Sequence, residues 1–160
     1  MDNATRQQKI EQYGQAYTVL IEALHTCPPE MWTFKPSPEE WCIQELIVHL
    51  ADSEVNAYAR CRRAIAEPGS SIFAYDQEQW ASALHYMQQD GESALQLFRY
   101  LRALTYTLLK SLPESTWANT VVHPEVGVMT LDDWLDTYAA HAHNHVDQIN
   151  TVCAAWRAQA

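Results

Sequence analysis

The stretch TLDDWLDTYAAHAHNHVDQINTVCAAW, residues 130–156, contains the clearest indication of the fold. Its apolar and aromatic residues recur every three to four positions, which predicts a long helix with one face in a protein core. Thr130 is a typical N-cap residue, and Asp132 and Asp133 suit the positive end of the helix dipole. The residues predicted on the core face are Trp134, Tyr138, His141, His145, Ile149, Val152 and Trp156.

Two histidines lie within this core face. His141 and His145 are four residues apart, so their imidazoles share one side of the helix and can bind one ion. The alternative is that each ring finds a hydrogen-bond partner within the protein, since a buried imidazole without one is costly. His143 projects to the opposite side of the helix and is predicted to face solvent.

Four more segments show helical periodicity and complete the fold prediction. They are Thr5–Leu24, Cys42–Glu67, the shorter Asp76–Gln89, and Glu92–Ser111. Proline or glycine follows each of them. The connector before the second helix contains a predicted capping box, Ser37 to Glu40. The β-branched run Thr120–Val122 is too short to found a sheet. These patterns predict an all-α four-helix bundle with one short additional helix, as a single domain over residues 1–160.

Composition excludes several classes of function. Ten Lys and Arg residues against twenty Asp and Glu residues give a formal charge of −10, which repels nucleic acid. Neither a membrane span nor a signal peptide is evident. The four cysteines form no Cys-x-x-Cys pair, so we expect buried, reduced thiols in a cytoplasmic protein.

A third metal ligand is predicted on the second helix. Glu45, His49, Ser53 and Asn56 form a polar stripe at the edge of that helix's apolar face. Such a stripe is typical of residues that line a pocket between helices, where bundles build their metal sites. Three histidine ligands leave a coordination position open for water or substrate, as in catalytic zinc sites.

These motifs resemble those of the DinB-like superfamily, in particular its YfiT-type branch of metal-dependent hydrolases. The matching residues extend over most of the chain: Trp41–Leu46, His49–Glu54, His123–Glu125, Thr130–Leu131, Tyr138–His141, His145 and Gln148–Ile149. Some branches have Glu where this chain has His141. Cys42 departs from the Ser or Thr usual before the second helix, which leaves the start of that helix less certain.

The resemblance implies an up-down-down-up bundle that is often dimeric. It also implies a nickel or zinc ion held by His49, His141 and His145. It leaves the reaction open, because the family includes hydrolases as well as enzymes that use low-molecular-weight thiols, such as bacillithiol S-transferases.

Three functions are compatible with this site. A metal-dependent hydrolase acting on a small molecule would take Asp52 or Glu45 as general base, although both carboxylates could instead support the ligands or lie on the helix surface. A thiol transferase would need a cation for an anionic thiol, and Arg60 is the candidate. His123 is predicted to reach the pocket mouth as an auxiliary residue. The third function is a non-catalytic metal-binding protein.

Overall fold

Five helices and one β-hairpin form the computed structural model, which describes residues 1–159. The helices are α1 Asn3–His25, α2 Ile43–Ala66, α3 Gln77–Ala83, α4 Gly91–Lys110 and α5 Leu131–Arg157, and the strands are β1 Thr120–His123 and β2 Gly127–Thr130. None of the helices in this range is long and apolar enough to cross a membrane. The predicted all-α bundle with one short extra helix is confirmed.

Helices α1 and α5 run parallel. Near their starts, the Arg6 guanidinium donates to Asp132, with Nε 2.7 Å from Oδ1. At their other ends, Cys27 directly follows α1 and is bonded to Cys153 in the last turns of α5. The two helices are therefore linked start to start and end to end, as parallel helices must be.

Helices α2 and α4 also run parallel to each other. The Gln44 side chain packs on Gly91, and both residues lie in the first turn of their helix. Near the other ends, Arg62 donates to the Thr105 hydroxyl at 3.2 Å. Helices α2 and α5 are antiparallel, because Arg60 near the end of α2 donates to Tyr138 near the start of α5. The order is thus up-down-down-up, as the family resemblance implied.

A buried ion pair joins the helices at mid-height. Arg102 of α4 donates from Nε to Glu54 of α2 at 2.6 Å, and both side chains are almost completely buried. Arg102 Nη1 donates to the Tyr138 carbonyl of α5 at 3.0 Å, and its guanidinium lies 3.9 Å from the centre of the Tyr13 ring of α1. The Tyr13 hydroxyl also donates to Glu54. Burial raises the pKa of Glu54, while Arg102 and Tyr13 oppose that shift by stabilising the carboxylate.

The hairpin corrects the prediction for Thr120–Val122. β1 pairs antiparallel with β2, in a register that places Thr120 opposite Thr130 and His123 opposite Gly127. Gly127 has φ +78°, a conformation suited to glycine at the turn. The run forms a strand because a second strand, which periodicity did not reveal, supplies its partner, and because Val121 is buried against the bundle.

Two local predictions about helix bounds are also wrong. The segment Asp76–Gln89 is not one helix, because α3 ends before Leu84 and His85 adopts the left-handed conformation at φ 53°. A separate 3-10 turn follows at Tyr86–Gln88. Ser37 and Glu40 form only a turn and cap no helix. The N-terminus of α2 is capped instead by Glu45, whose carboxylate accepts the backbone N–H of Cys42 at 3.0 Å.

The cysteines divide into two kinds. Cys42 and Cys61 are free and buried, as predicted. Cys27 and Cys153 form a disulfide across 126 residues of sequence, which corrects the expectation of reduced thiols. Sequence spacing could not reveal this pair, because only the parallel packing of α1 and α5 brings their C-terminal ends together.

The Arg102–Glu54 pair makes the bundle sensitive to substitution at its centre. Arg102→Met leaves the Glu54 carboxylate buried without its cation and should lower the free energy of unfolding by about 3–5 kcal/mol. Urea denaturation at neutral pH measures this loss. Arg99→Met is the matched control on an exposed position of the same helix and should cost less than about 1 kcal/mol. Equal losses in the two variants would show that the pair contributes nothing specific.

Candidate metal centre

Helices α2 and α5 bring the three predicted metal ligands together. His49 lies in the second turn of α2, and His141 and His145 lie on successive turns of α5. One ring nitrogen of each lies within 4.8 Å of the other two. The Nε2 atoms of His141 and His145 are 3.1 Å apart. Two nitrogen ligands at about 2.1 Å from one tetrahedral ion lie roughly 3.3 Å apart, so this spacing fits a shared metal.

The chemical state of His49 supports the same interpretation. Its side chain is 0% exposed, and neither ring nitrogen has a hydrogen-bond partner among residues 1–159. Buried polar atoms are rarely left unpaired, since each loses its hydration without compensation. A metal ion would satisfy one of these nitrogens, so the residues present fit a divalent ion.

Gln148 orients one of the ligands. Its side-chain oxygen lies 2.7 Å from Nδ1 of His145. With the amide oxygen as acceptor, Nδ1 carries the proton and Nε2 keeps its lone pair for a metal. Gln148 is not among the predicted site residues, although its position three residues after His145 on a helix is a usable signal.

Burial keeps the three imidazoles neutral. Loss of hydration lowers the pKa of His49 to about 3 and that of His141 to about 2, and neighbouring histidines act in the same direction. The pKa of His145 is lowered for the same principal reason. Metal ligation requires the neutral ring, so all three side chains are in a binding-competent state at neutral pH.

His143 lies apart from this cluster. It is half-buried against α1, with Nε2 3.3 Å from the carbonyl oxygen of Gln12. It was predicted to face solvent on the side away from the metal site. It is indeed absent from the three-histidine group, but α1 covers much of it.

A cavity gives access to the centre beside His145. Its volume is about 440 Å³, and its walls include Trp41, His145 and Gln148. The Trp41 ring also lies against His49, with ring centres 4.9 Å apart. Trp41 therefore separates His49 from the cavity on one side, a role that the sequence motif alone did not assign.

The two candidate bases occupy different environments. Glu45 accepts from Lys35 at 2.8 Å and from the Cys42 backbone N–H, so both of its carboxylate oxygens are engaged at the start of α2. Asp52 is half-buried and accepts the Tyr86 hydroxyl at 2.7 Å. Glu45 therefore has a structural role in capping α2, and Asp52 is the less committed of the two.

Arg60 and His123 come together, but not at the metal ligands. Both line a second cavity of about 520 Å³ between the hairpin, α2 and α5. None of the three clustered histidines is among the described residues that line it. Tyr138 connects the two regions, because its hydroxyl accepts from Arg60 at 2.9 Å and its ring lies 6.1 Å from that of His141.

The cluster predicts which histidines hold an ion. Protein purified without a histidine tag should contain about one divalent ion per chain, and His145→Ala should lose it, since two ligands bind far more weakly than three. His143→Ala is the matched control on the same helix and should retain the ion. Elemental analysis measures both. Retention in His145→Ala, or loss in both variants, would contradict the assigned ligand set.

The buried histidines also predict a pH dependence of the metal-free protein. In the unfolded chain these histidines take up protons below pH about 6.5, whereas in the folded protein His49 and His141 do not, because their pKa values are lowered. The free energy of unfolding therefore decreases as the pH is lowered from about 6.5 towards the folded-state pKa values. Each such histidine costs about 1 kcal/mol between pH about 7.5 and about 5.5. In urea denaturation with chelator, His49→Gln should lose that much less than wild type. The control His25→Gln, at an exposed position, should lose as much free energy of unfolding over this pH range as wild type. If His49→Gln also lost as much as wild type, the buried neutral ring of His49 would be contradicted.

Comparison with known proteins places the chain in a family. The DinB superfamily model matches residues 12–149. An Oceanobacillus iheyensis protein named "Putative metal-dependent hydrolase" is 34% identical over 113 residues, which cover 71% of this chain and 65% of that relative. The Bacillus subtilis protein named "Putative metal-dependent hydrolase YfiT" is 28% identical over 110 residues, which cover 68% of this chain and 62% of that relative. The chain thus matches less than two thirds of the length of either relative.

The structural comparison concerns the fold. The solved structure of YfiT from Bacillus subtilis, described as a four-helix bundle of unusual topology, has a TM-score of 0.87 to this chain. The superposition covers 95% of this chain and 87% of that one, at 22% identity. Because the family model matches most of the sequence and the fold agrees, this chain belongs to the DinB superfamily.

Proposed function

We propose that this protein is a metal-dependent hydrolase whose divalent ion, nickel or zinc, is held by His49, His141 and His145. The observation that carries the proposal is the convergence of three neutral imidazoles, one of them fully buried with both ring nitrogens unpaired. The names of the two relatives support the same class of reaction.

The chain's own residues would divide the work as follows. A bound ion would act as a Lewis acid and lower the pKa of water at its open position. Gln148 holds the His145 ring in the tautomer that a ligand needs. The Trp41 ring covers His49 and limits water on that side. Substrate would reach the centre through the cavity beside His145, whose volume is within the range of small-molecule sites.

Asp52 is the proposed proton acceptor. It lies one helical turn beyond His49 and accepts from Tyr86 at Oδ2, and it lines a third cavity rather than the one beside His145. Glu45 is the weaker candidate, because Lys35 and a backbone N–H already occupy its carboxylate. We therefore assign Glu45 to the architecture of α2.

A thiol transferase is the second candidate. The supporting observation is that Arg60 and His123 line one cavity next to Tyr138, which would place positive charge near an anionic thiol. Conjugation of an electrophile by a low-molecular-weight thiol, with and without metal, would distinguish this activity from hydrolysis. An inert metal-binding protein is less favoured, since a cavity of about 440 Å³ admits far more than water.

Location and assembly remain proposals. We propose the expected homodimer but not the expected cytoplasmic location. The disulfide between Cys27 and Cys153 weighs against a strongly reducing compartment, since such bonds are rare there.

Hydrolysis should depend on the buried ligand. With zinc- or nickel-loaded protein and a panel of activated esters and amides, His49→Ala should lower kcat/KM by about 100-fold or more, because it removes the ion that polarises the substrate. The chromogenic release of 4-nitrophenol or 4-nitroaniline measures the rate. His143→Ala should keep the wild-type rate. Full activity in His49→Ala would refute the mechanism, and no hydrolysis by wild type would refute the reaction class.

A further inference from the structure

The cavity that opens beside His145 is lined by acidic residues. Four carboxylate side chains contribute to its walls, and no Lys or Arg does so among the described residues. They are Glu39, Glu40, Glu78 and Asp147. They come from three separate parts of the chain, the connector before α2, the start of α3 and the second half of α5. The negative charge therefore converges on the cavity only in the folded protein.

The cavity also contains an aromatic ring held in a defined position. The Trp41 indole N–H donates to the Glu78 carboxylate at 3.1 Å. Its only polar atom is thus engaged, so a ligand can contact only the ring carbons. An aromatic face beside carboxylates attracts organic cations, since the ring quadrupole and the negative charges act in the same direction.

His145 joins this cavity to the candidate metal centre, because it lines the cavity and belongs to the three-histidine group. Fully buried His49, with both ring nitrogens unpaired, lies between two residues that line the cavity. Its ring centre is 4.9 Å from that of Trp41 and 4.7 Å from that of His145. His49 itself does not line the cavity, but His145 belongs to both, so the metal centre and the acidic walls are adjacent parts of one site.

From these observations we propose that the substrate carries an organic cation, a protonated amine or a quaternary ammonium group, that binds against Trp41 among the four carboxylates. The proposal rests on the hydrolase proposed above and adds the class of substrate. Clefts lined by one sign of charge concentrate ligands of the opposite charge and repel ligands of the same charge. An anionic thiol is therefore disfavoured on this side of the metal centre.

Choline, one uncharged analogue and one anionic analogue test which ligand charge the cavity prefers. The probes are choline, its uncharged carbon analogue 3,3-dimethylbutan-1-ol, and the anion 3,3-dimethylbutanoate. Each gives one sharp proton resonance from nine equivalent methyl protons, so binding to zinc-loaded protein can be followed by ligand NMR. Choline should bind with a Kd about tenfold lower than that of the alcohol, while the anion, whose carboxylate can bind the zinc ion directly, reports on the open metal position.

Matched charge variants locate the effect. Glu39→Gln/Glu40→Gln/Asp147→Asn should raise the Kd of choline about fivefold and leave that of the alcohol unchanged. The control Glu22→Gln/Glu92→Gln/Glu125→Gln removes the same charge from exposed positions outside the cavity and should leave both Kd values unchanged. Glu78 is not substituted, so Trp41 keeps its partner.

Several results would overturn the proposal. They are no detectable binding of choline, equal binding of choline and the alcohol, no effect of the cavity variant, or an equal effect of the control variant. Zinc content, measured in the same samples, separates the two proposals. If the protein binds stoichiometric zinc but shows no preference for choline, only the proposal of a cationic substrate is refuted. If it binds choline but neither holds zinc nor hydrolyses the test substrates, only the proposed hydrolase is refuted.

Discussion

Arg102 is the side chain on which the geometry of the bundle depends. Its guanidinium contacts Glu54 of α2, the Tyr138 carbonyl of α5 and the Tyr13 ring of α1. A buried guanidinium needs hydrogen-bond acceptors, and this alignment of the helices supplies them to Nε and Nη1, while Nη2 has no partner among residues 1–159. Glu54 lies five residues beyond His49, and Tyr138 lies three residues before His141. The alignment that satisfies Arg102 therefore also places the histidines of α2 and α5 opposite each other.

The metal centre is a place where the protein gives up stability. His49 is buried with two unpaired nitrogens, and three neutral imidazoles crowd together where apolar side chains would pack more favourably. Such local conflicts with good packing are typical of functional sites. An ion that binds only the folded state would recover part of this free energy. The same arrangement makes the three rings ready to bind at neutral pH, because burial lowers their pKa values.

The two cavities differ in their lining. The cavity beside His145 is lined by four carboxylates and Trp41, while the cavity under the hairpin is lined by Arg60, Asp133, His123 and apolar side chains. Tyr138 stands between the second cavity and His141.

Local sequence patterns predicted the long helices and the candidate metal ligands. Helical periodicity identified the four long helices, and the spacing of His141 and His145 on the core face of the last one selected the metal pair without reference to any other segment. These features are local, because a helix places residues three and four apart on one face whatever surrounds it. The polar stripe of the second helix indicated His49, and the family resemblance supported that residue and implied the order of the helices.

Features that join distant segments of the chain became visible only in the folded structure. The hairpin, the disulfide between Cys27 and Cys153, and the contact of Arg102 with three helices each join residues far apart in the chain. The same holds for the engagement of Glu45 by Lys35 and for the convergence of four carboxylates on one cavity. Periodicity reports which face of an element is buried, but not which partner covers it. Where the three histidines lie was therefore readable from the sequence, and what surrounds them was not.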